Sequence, residues 1–251
     1  MPDAVHNTII RIIIPARNEA RALPTVLRGI PSWIDRVVVA DNGSTDGTGA
    51  TAGANGADVV RVDTAGYGRA CMAGVATAGP CDVLVFMDGD AADDPADLAA
   101  LLAPILDGTA DLVIGSRALG QREQGSLTPQ QRFGNALACH LIALIWGHRF
   151  TDLGPFRAIR YDHYTRLTMR APTYGWTVEM QIRALKRGLR CVDVPVRYRK
   201  RIGVSKISGT VRGVVLAGYY ILGTIALEAG RSLLSSFSRS YRRGAVTSNK
   251  R

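Results

Sequence analysis

Apolar residues fall in short runs along the first half of the chain, and most runs end in acidic, glycine or hydroxyl side chains. Residues 9–14 are all isoleucine except Arg11, the pattern of a strand buried on both faces. "PARNEARALPTVLRGI" follows, with apolar positions at Ala20, Leu23, Val26, Leu27 and Ile30 that predict a helix. A second strand is expected in "DRVVVADNGSTDGT", a helix over 48–56, and a third strand over 57–62. Then come a helix over 66–78, a fourth strand over 83–87, a helix over 95–106 and a fifth strand over 110–117. Strands alternating with helices at this spacing predict an α/β fold, a mostly parallel sheet flanked by helices on both faces. In such sheets ligands bind beyond the carboxyl ends of the strands. Residues 15–19, 41–46, 88–90 and 115–117 all fall there, so their polar side chains are expected to form one site.

The rhythm changes after about residue 125. Residues 129–147 read as a longer helix carrying Arg132 and Asn135, "FTDLGPFRAIR" as a loop, and 175–188 as a helix stopped by Gly188. "LRCVDVPVRYRKR" reads as a final strand. Residues 213–227 are 15 positions without a charge, bounded by Arg212 and Glu228. At about 1.5 Å per residue they are too short to cross a hydrocarbon core about 30 Å thick. An amphipathic or apolar C-terminal helix is expected instead, lying in a membrane interface, packing on the domain or meeting a second subunit. The basic tail of Arg239, Arg242, Arg243, Lys250 and Arg251 favours the membrane. The expected division is therefore a catalytic domain over 1–210 and a helix with a basic tail over 211–251.

The formal charge of +10 suggests a polyanion-binding protein, but its distribution does not. Residues 1–185 hold 16 Lys and Arg against 19 Asp and Glu, and residues 186–251 hold 15 against two. A C-terminal quarter at +13 suits a phosphate-bearing substrate or an anionic membrane. A nucleic-acid module is disfavoured, because interleaved aromatics are sparse and acidic strand ends repel phosphates. The four cysteines form no CxxC pair, and three lie in or beside apolar runs, which suits buried thiols in a reducing compartment. The four histidines have no metal-ligand spacing. No apolar leader stands at the N-terminus, so a cytoplasmic location is expected.

The chemistry centres on "CDVLVFMDGDAADDP". Asp88 and Asp90 flank Gly89 at a strand end, where both carboxylates can approach one hard cation. Mg2+ or Mn2+ held by one or two carboxylates commonly completes its shell with substrate phosphates. In isolation the string reads equally well as a solvated turn whose acids cap the helix at Pro95, and Asp93 and Asp94 read as caps in either case. Asp41 sits at a neighbouring strand end, where it can accept from a nucleotide's base or ribose or simply hold the Asn42-Gly43 turn. Glu179 reads as a helix residue paired with a nearby arginine.

In order along residues 9–210, "IIIPARNEA", "VVVADNGSTDGT", "FMDGDAADDP", "LVIGSR", "FTDLGPFRAIR" and "RKRIGVSKIS" resemble the inverting glycosyltransferases of family 2, with the Rossmann-like GT-A fold. Within these the chain is most similar to the polyprenyl-phosphate sugar synthases, such as dolichol-phosphate mannose synthase. The resemblance implies that Pro15, Arg17, Glu19 and Asp41 contact the donor nucleotide. Asp88, Gly89 and Asp90 would form the metal-binding turn, with Asp90 the direct ligand. Arg117, Arg132, Asn135 and Arg157 would form the acceptor site together with Asp152. Arg201, Ser205 and Lys206 would close over the donor diphosphate. Ala92 stands where many relatives have glutamine, and "LGPFRA" replaces the usual "SGFRA".

The implied reaction is metal-dependent hexose transfer, with a donor of the GDP-mannose or UDP-glucose type and a polyprenyl phosphate acceptor. A bound divalent ion, Arg201 and Lys206 would offset charge gathering on the diphosphate. A lipid phosphate is already anionic and needs only to be held, by Arg117 and Arg132. A small soluble hydroxyl acceptor would need a base, for which Asp152 is the candidate. A nucleotidyltransferase is disfavoured because the loop after the first strand lacks glycine. The expected setting is the inner face of the cell membrane, as a peripheral contact or as a homo-oligomer.

Overall fold

The computed structural model describes residues 7–203 and 211–248. Its elements run β1 (Ile10–Ala16), α1 (Leu23–Gly29), β2 (Arg36–Asp41), α2 (Thr48–Ala54), β3 (Asp58–Arg61), α3 (Tyr67–Ala78) and β4 (Val83–Phe86). A 3-10 turn at Pro95–Asp97 leads into α4 (Leu98–Leu106), followed by β5 (Leu112–Ser116) and α5 (Pro129–Trp146). β6 (Arg157–Arg160), α6 (Tyr161–Leu167), α7 (Trp176–Lys186), β7 (Cys191–Pro195) and α8 (Val211–Ser248) complete the chain.

The strands form one seven-stranded sheet in the order β3-β2-β1-β4-β6-β5-β7. All neighbours are parallel except β6, which runs antiparallel between β4 and β5. Ile10, Ile12 and Ile14 of β1 join a core with α1, α2 and α4, while Ile13 joins the core of the other face with α3, α5 and α7. Both faces are covered, so an alternating polar position would be buried; this is why β1 reads as nearly unbroken isoleucine. Each such side chain contributes about 1.5–3 kcal/mol by leaving water.

β6 corrects the expectation of a loop over 150–160. Only Ala158 and Ile159 are apolar in this strand, too short a run to signal itself, and Arg157 pairs across to Phe86 and Ile114. The final strand also stops earlier than expected, at Pro195, after which Tyr198 forms single bridges to Asp93 and Arg122. α5 has the boundaries its sequence suggests: Thr128 and Gln131 form a reciprocal capping box, Pro129 opens the helix, and left-handed Gly147 closes it. α8, at 38 residues, extends well beyond the uncharged segment and packs on α5 and α7.

Candidate active site

The loops after β1 and β2 are stitched together. Asn18, in the left-handed region at φ 54°, accepts from the Thr45 amide at 2.8 Å and donates its own amide to Ser44 Oγ at 2.9 Å. The Glu19 amide reaches Thr48 Oγ1 at 2.9 Å. These bonds set Pro15, Arg17 and Glu19 beside Asp41, with Arg17 exposed and Pro15 and Asp41 buried. Asp41 Oδ1 accepts the Ser44 amide at 2.9 Å, so this carboxylate does hold its turn. Asn42 Oδ1 receives the Gly66 amide at 2.8 Å, which fixes the start of α3 to the same edge.

Beyond β4 the backbone turns through Gly89 and left-handed Ala91. A Cβ at Gly89 would lie 3.2 Å from both Ile14 and Leu23, so glycine here answers a close approach as well as a turn. Asp90 Oδ1 accepts the Ala92 amide at 3.0 Å, and Oδ2 meets Arg201 Nη1 at 3.0 Å. The Tyr67 hydroxyl donates to Asp88 Oδ1 at 3.3 Å. Asp94 caps the 3-10 turn through the Ala96 amide at 3.1 Å and pairs with Arg199 at 2.5 Å and Arg197 at 3.2 Å. Asp93 does not act as a cap. It is 2% exposed and accepts the Asp88 amide at 3.2 Å, while its Oδ1 is buried without a partner.

Three carboxylates thus crowd one turn. Burial first, then the neighbouring Asp90, pushes the Asp88 carboxyl up to about 7. Burial, then Asp88, raises Asp93 well above the ordinary range. Among the described residues no three His, Cys, Asp or Glu side chains converge as a complete ligand set. The donor set nevertheless fits a hard divalent cation: Asp88 and Asp90 supply oxygens, a substrate diphosphate can supply the rest, and added positive charge would relieve the crowding.

The opposite wall is cationic. Arg117, just past β5, donates its amide and Nε to Asp152 Oδ2 at 2.8 Å each, and Nη2 to Oδ1 at 2.6 Å. Its guanidinium also lies 5.1 Å from the centre of the Tyr198 ring. Burial works against the Arg117 charge, but Asp152 holds its pKa above the usual arginine value. Asp152 lines the cavity but is only 1% exposed, and both of its oxygens accept from Arg117, so as it stands this carboxylate is committed to holding Arg117 rather than poised as the expected base.

Arg157 likewise departs from expectation. It is 0% exposed, and its guanidinium donates to the carbonyls of Leu153, Gly154 and Thr177. Burial pulls its pKa down to about 10. It cannot touch an acceptor; it braces the loop that carries Asp152. Asn135 ties α5 to the same loop, donating to Thr151 O at 3.1 Å and accepting the Leu153 amide at 2.8 Å. Arg132, exposed on the first turn of α5, does line the open space. That space is a cavity of about 1180 Å³ running from Tyr67 and Asp88 past Arg117, Arg122, Arg132 and Arg201 to Leu137, Ile221 and Leu222. Ser205 and Lys206 lie outside the described residues.

Comparison with known proteins follows this geometry. The family model described as glycosyl transferase family 2 matches residues 11–170, from β1 into the segment after α6. The chain is a family 2 glycosyltransferase. An uncharacterized glycosyltransferase of Mycobacterium tuberculosis is 34% identical over 83% of this transferase and 94% of the relative. The undecaprenyl-phosphate mannosyltransferase of Micrococcus luteus is 32% identical over 80% and 88%. The polyprenol monophosphomannose synthase of Mycolicibacterium smegmatis is 31% identical over 79% and 81%. Among solved structures, glucosyl-3-phosphoglycerate synthase of Mycobacterium tuberculosis, in complex with Mn2+ and UDP-glucose, superposes with a TM-score of 0.73. That match has 24% identity and covers 90% of this chain and 81% of the synthase, and it shows a shared GT-A fold.

Three residues lining the transferase's cleft carried no signal in the sequence: Tyr67, Arg122 and Tyr198. Each comes singly from a different segment, and only the fold brings them together. Asp93, in "DGDAADDP", reads first as a cap because acids before a proline commonly are, whereas its carboxylate instead accepts the Asp88 amide. Gly66 and Gly68 have a packing role, since a Cβ on either would strike the backbone carbonyls of Pro172 or Ala171.

Proposed function

We propose that this glycosyltransferase moves a hexose, with inversion, from a nucleotide-diphosphate sugar of the GDP-mannose or UDP-glucose type to a polyprenyl phosphate, using Mg2+ or Mn2+. The observation that carries the reading is one cleft that changes character along its length. It is acidic at Asp88, cationic at Arg117, Arg122 and Arg132, and apolar at Leu137, Ile221 and Leu222. An amphiphile with an anionic head matches the last two parts. The names of the Micrococcus and Mycolicibacterium relatives support the same acceptor class, and the Mn2+ and UDP-glucose of the solved synthase support the donor class.

In this reading Pro15, Arg17, Glu19 and Asp41 receive the nucleoside, and Asp88 and Asp90 would hold the metal. When bound, the metal offsets the charge that the departing diphosphate gains. Arg201 leaves its pairing with Asp90 to add charge there, with Ser205 and Lys206 as its partners in the sequence. A phosphate monoester is ionised at neutral pH, so attack at the anomeric carbon needs no base. Asp152 uses only two of the five guanidinium N–H groups of Arg117 as well as its amide, which leaves donors for the acceptor phosphate. Arg132 supplies a second cation, and the reaction runs at the cytoplasmic face of the membrane.

A panel of UDP- and GDP-sugars, incubated with the full chain, Mn2+ or Mg2+ and undecaprenyl phosphate, tests the proposal. One donor is expected to give an acid-labile glycolipid, and EDTA or Asp90→Ala is expected to abolish it. Transfer that persists in EDTA would refute the metal site. Sugar reaching only a soluble hydroxyl acceptor would replace the lipid, and Asp152 would then have to release Arg117 to act as the base.

A further inference from the structure

α8 has two unlike faces. On one, Ile225 joins the core, and buried Glu228 meets Arg183 at 3.1 Å, Lys186 at 2.7 Å and Arg231 at 2.7 Å. Trp146 of α5 reaches Ser232 at 3.4 Å, so this face is fixed to α7 and α5. The other face carries Val215, Tyr219, Leu227, Leu233 and Leu234, all between 63 and 72% exposed. From Val215 to Leu234 the stripe is about 28 Å long at the helical rise. Beside it, α5 exposes Phe133 at 71% and Leu144 at 75%. Single exposed apolar residues are ordinary, but a contiguous patch over two helices marks a docking surface.

Two observations say what covers it. First, the patch runs into the cleft: Phe133 and Leu222 are exposed on it and also line the cavity. Second, the exposed charges on these two helices are basic. Arg132 on α5, Arg149 just past it and Arg231 on α8 are exposed, and the sequence after Glu228 has Arg239, Arg242, Arg243, Lys250 and Arg251 but no acid. A second copy docked on this face by two-fold symmetry would bring like charges together. An anionic lipid surface would attract them. Among the described residues no helix is long and apolar enough to cross a membrane, which suits helices lying in the interface.

We propose that the joined faces of α5 and α8 dock on an anionic bilayer, so that the cleft opens into the leaflet and the acceptor phosphate reaches Arg117 and Arg132 while its tail stays in lipid. The docking surface rests on the acceptor reading for its purpose, but not for its existence. The test is sedimentation of the full chain with vesicles of phosphatidylcholine alone or with 30% phosphatidylglycerol (about one anionic lipid in three, enough for a marked surface potential). The chain is expected to bind the anionic vesicles and to be weakened by high salt. The double variant Leu227→Glu, Leu233→Glu is expected to bind at least tenfold more weakly, with an unchanged melting temperature.

The same variant should lose transfer to undecaprenyl phosphate in vesicles while keeping transfer to a short, water-soluble isoprenyl phosphate. Vesicle binding equal to that of the wild type would overturn the proposal. So would a dimer in light scattering that the double variant dissociates, because the face would then belong to a second copy. Vesicle binding without transfer to any phosphate acceptor would reject the acceptor reading and leave the docking surface standing.

Discussion

Replacing Asp152 by asparagine keeps the shape of the side chain and removes its charge, which separates two roles that a carboxylate in this place could have. The side chains of Arg117 and Asp152 are 14% and 2% exposed, and three hydrogen bonds join the two residues. Removing one partner of a buried pair costs about 3–5 kcal/mol because the other charge is left uncompensated. An asparagine oxygen in the place of Oδ2 can still accept two of the three bonds and Arg117 keeps the Tyr198 ring, so the low end, about 3 kcal/mol, is expected. For a chain of this size that corresponds to a fall in melting temperature of about 6–12 °C. Kinetically, a loosened Arg117 should raise KM for the acceptor phosphate while leaving the pH dependence of kcat in shape. Calorimetry and a pH–rate profile on Asp152→Asn check both. A variant of wild-type stability that has lost the ascending limb of its pH profile would refute the positioning role and restore Asp152 as a base.

Other predictions follow from the same contacts. Asp88 in the fold holds its proton up to about 7, whereas a free aspartate releases it near 3.9. Between those values the folded state binds more protons, so metal-free stability should fall as pH rises towards 7. Stabilisation by Mn2+ should accordingly be larger at pH 8 than at pH 5.5, and Asp88→Asn should flatten both trends in thermal-shift curves. Glu228→Gln removes the charge shared by Arg183, Lys186 and Arg231, while Arg183 keeps Glu179 at 2.8 Å, and denaturant titration should show a loss of about 1.5–3 kcal/mol. A methyl at Gly74 would sit 2.5 Å from Ile13 Cγ2, so Gly74→Ala should cost about 1–3 kcal/mol. Gly230→Ala, with nothing within 4 Å of the new Cβ, should instead gain up to about 1 kcal/mol from helix propensity.

The legible parts of the sequence were those where one local pattern decides the outcome. β1, β2 and β4 are buried on both faces, so their apolar runs could hardly be anything else. The turns at Asp41 and Asp88–Asp90 were legible because acids directly after such runs must sit at strand ends. β6 was not, since it has only two apolar residues of its own and is held by its pairing with β4 and β5, with Arg157 satisfied by the carbonyls of Leu153, Gly154 and Thr177. The same lack of directional information left side-chain orientation open. The resemblance implied that Arg157 and Asp152 lie near the acceptor, but it could not tell that Arg157 faces inward or that Asp152, though it lines the cavity, is bound to Arg117. It also gave no hint that the uncharged part of α8 is split between a packed face held at Glu228 and an exposed one.

The most direct test of the account is a head-to-head acceptor measurement by mass spectrometry. The full chain, with its preferred sugar nucleotide and Mn2+, is given undecaprenyl phosphate, undecaprenol and phosphoglyceric acid in equal amounts. The account predicts one hexose added to undecaprenyl phosphate, none to undecaprenol, and a loss of product in Arg132→Ala greater than in Asn135→Ala. Hexose on undecaprenol or on phosphoglyceric acid, with undecaprenyl phosphate unmodified, would contradict it.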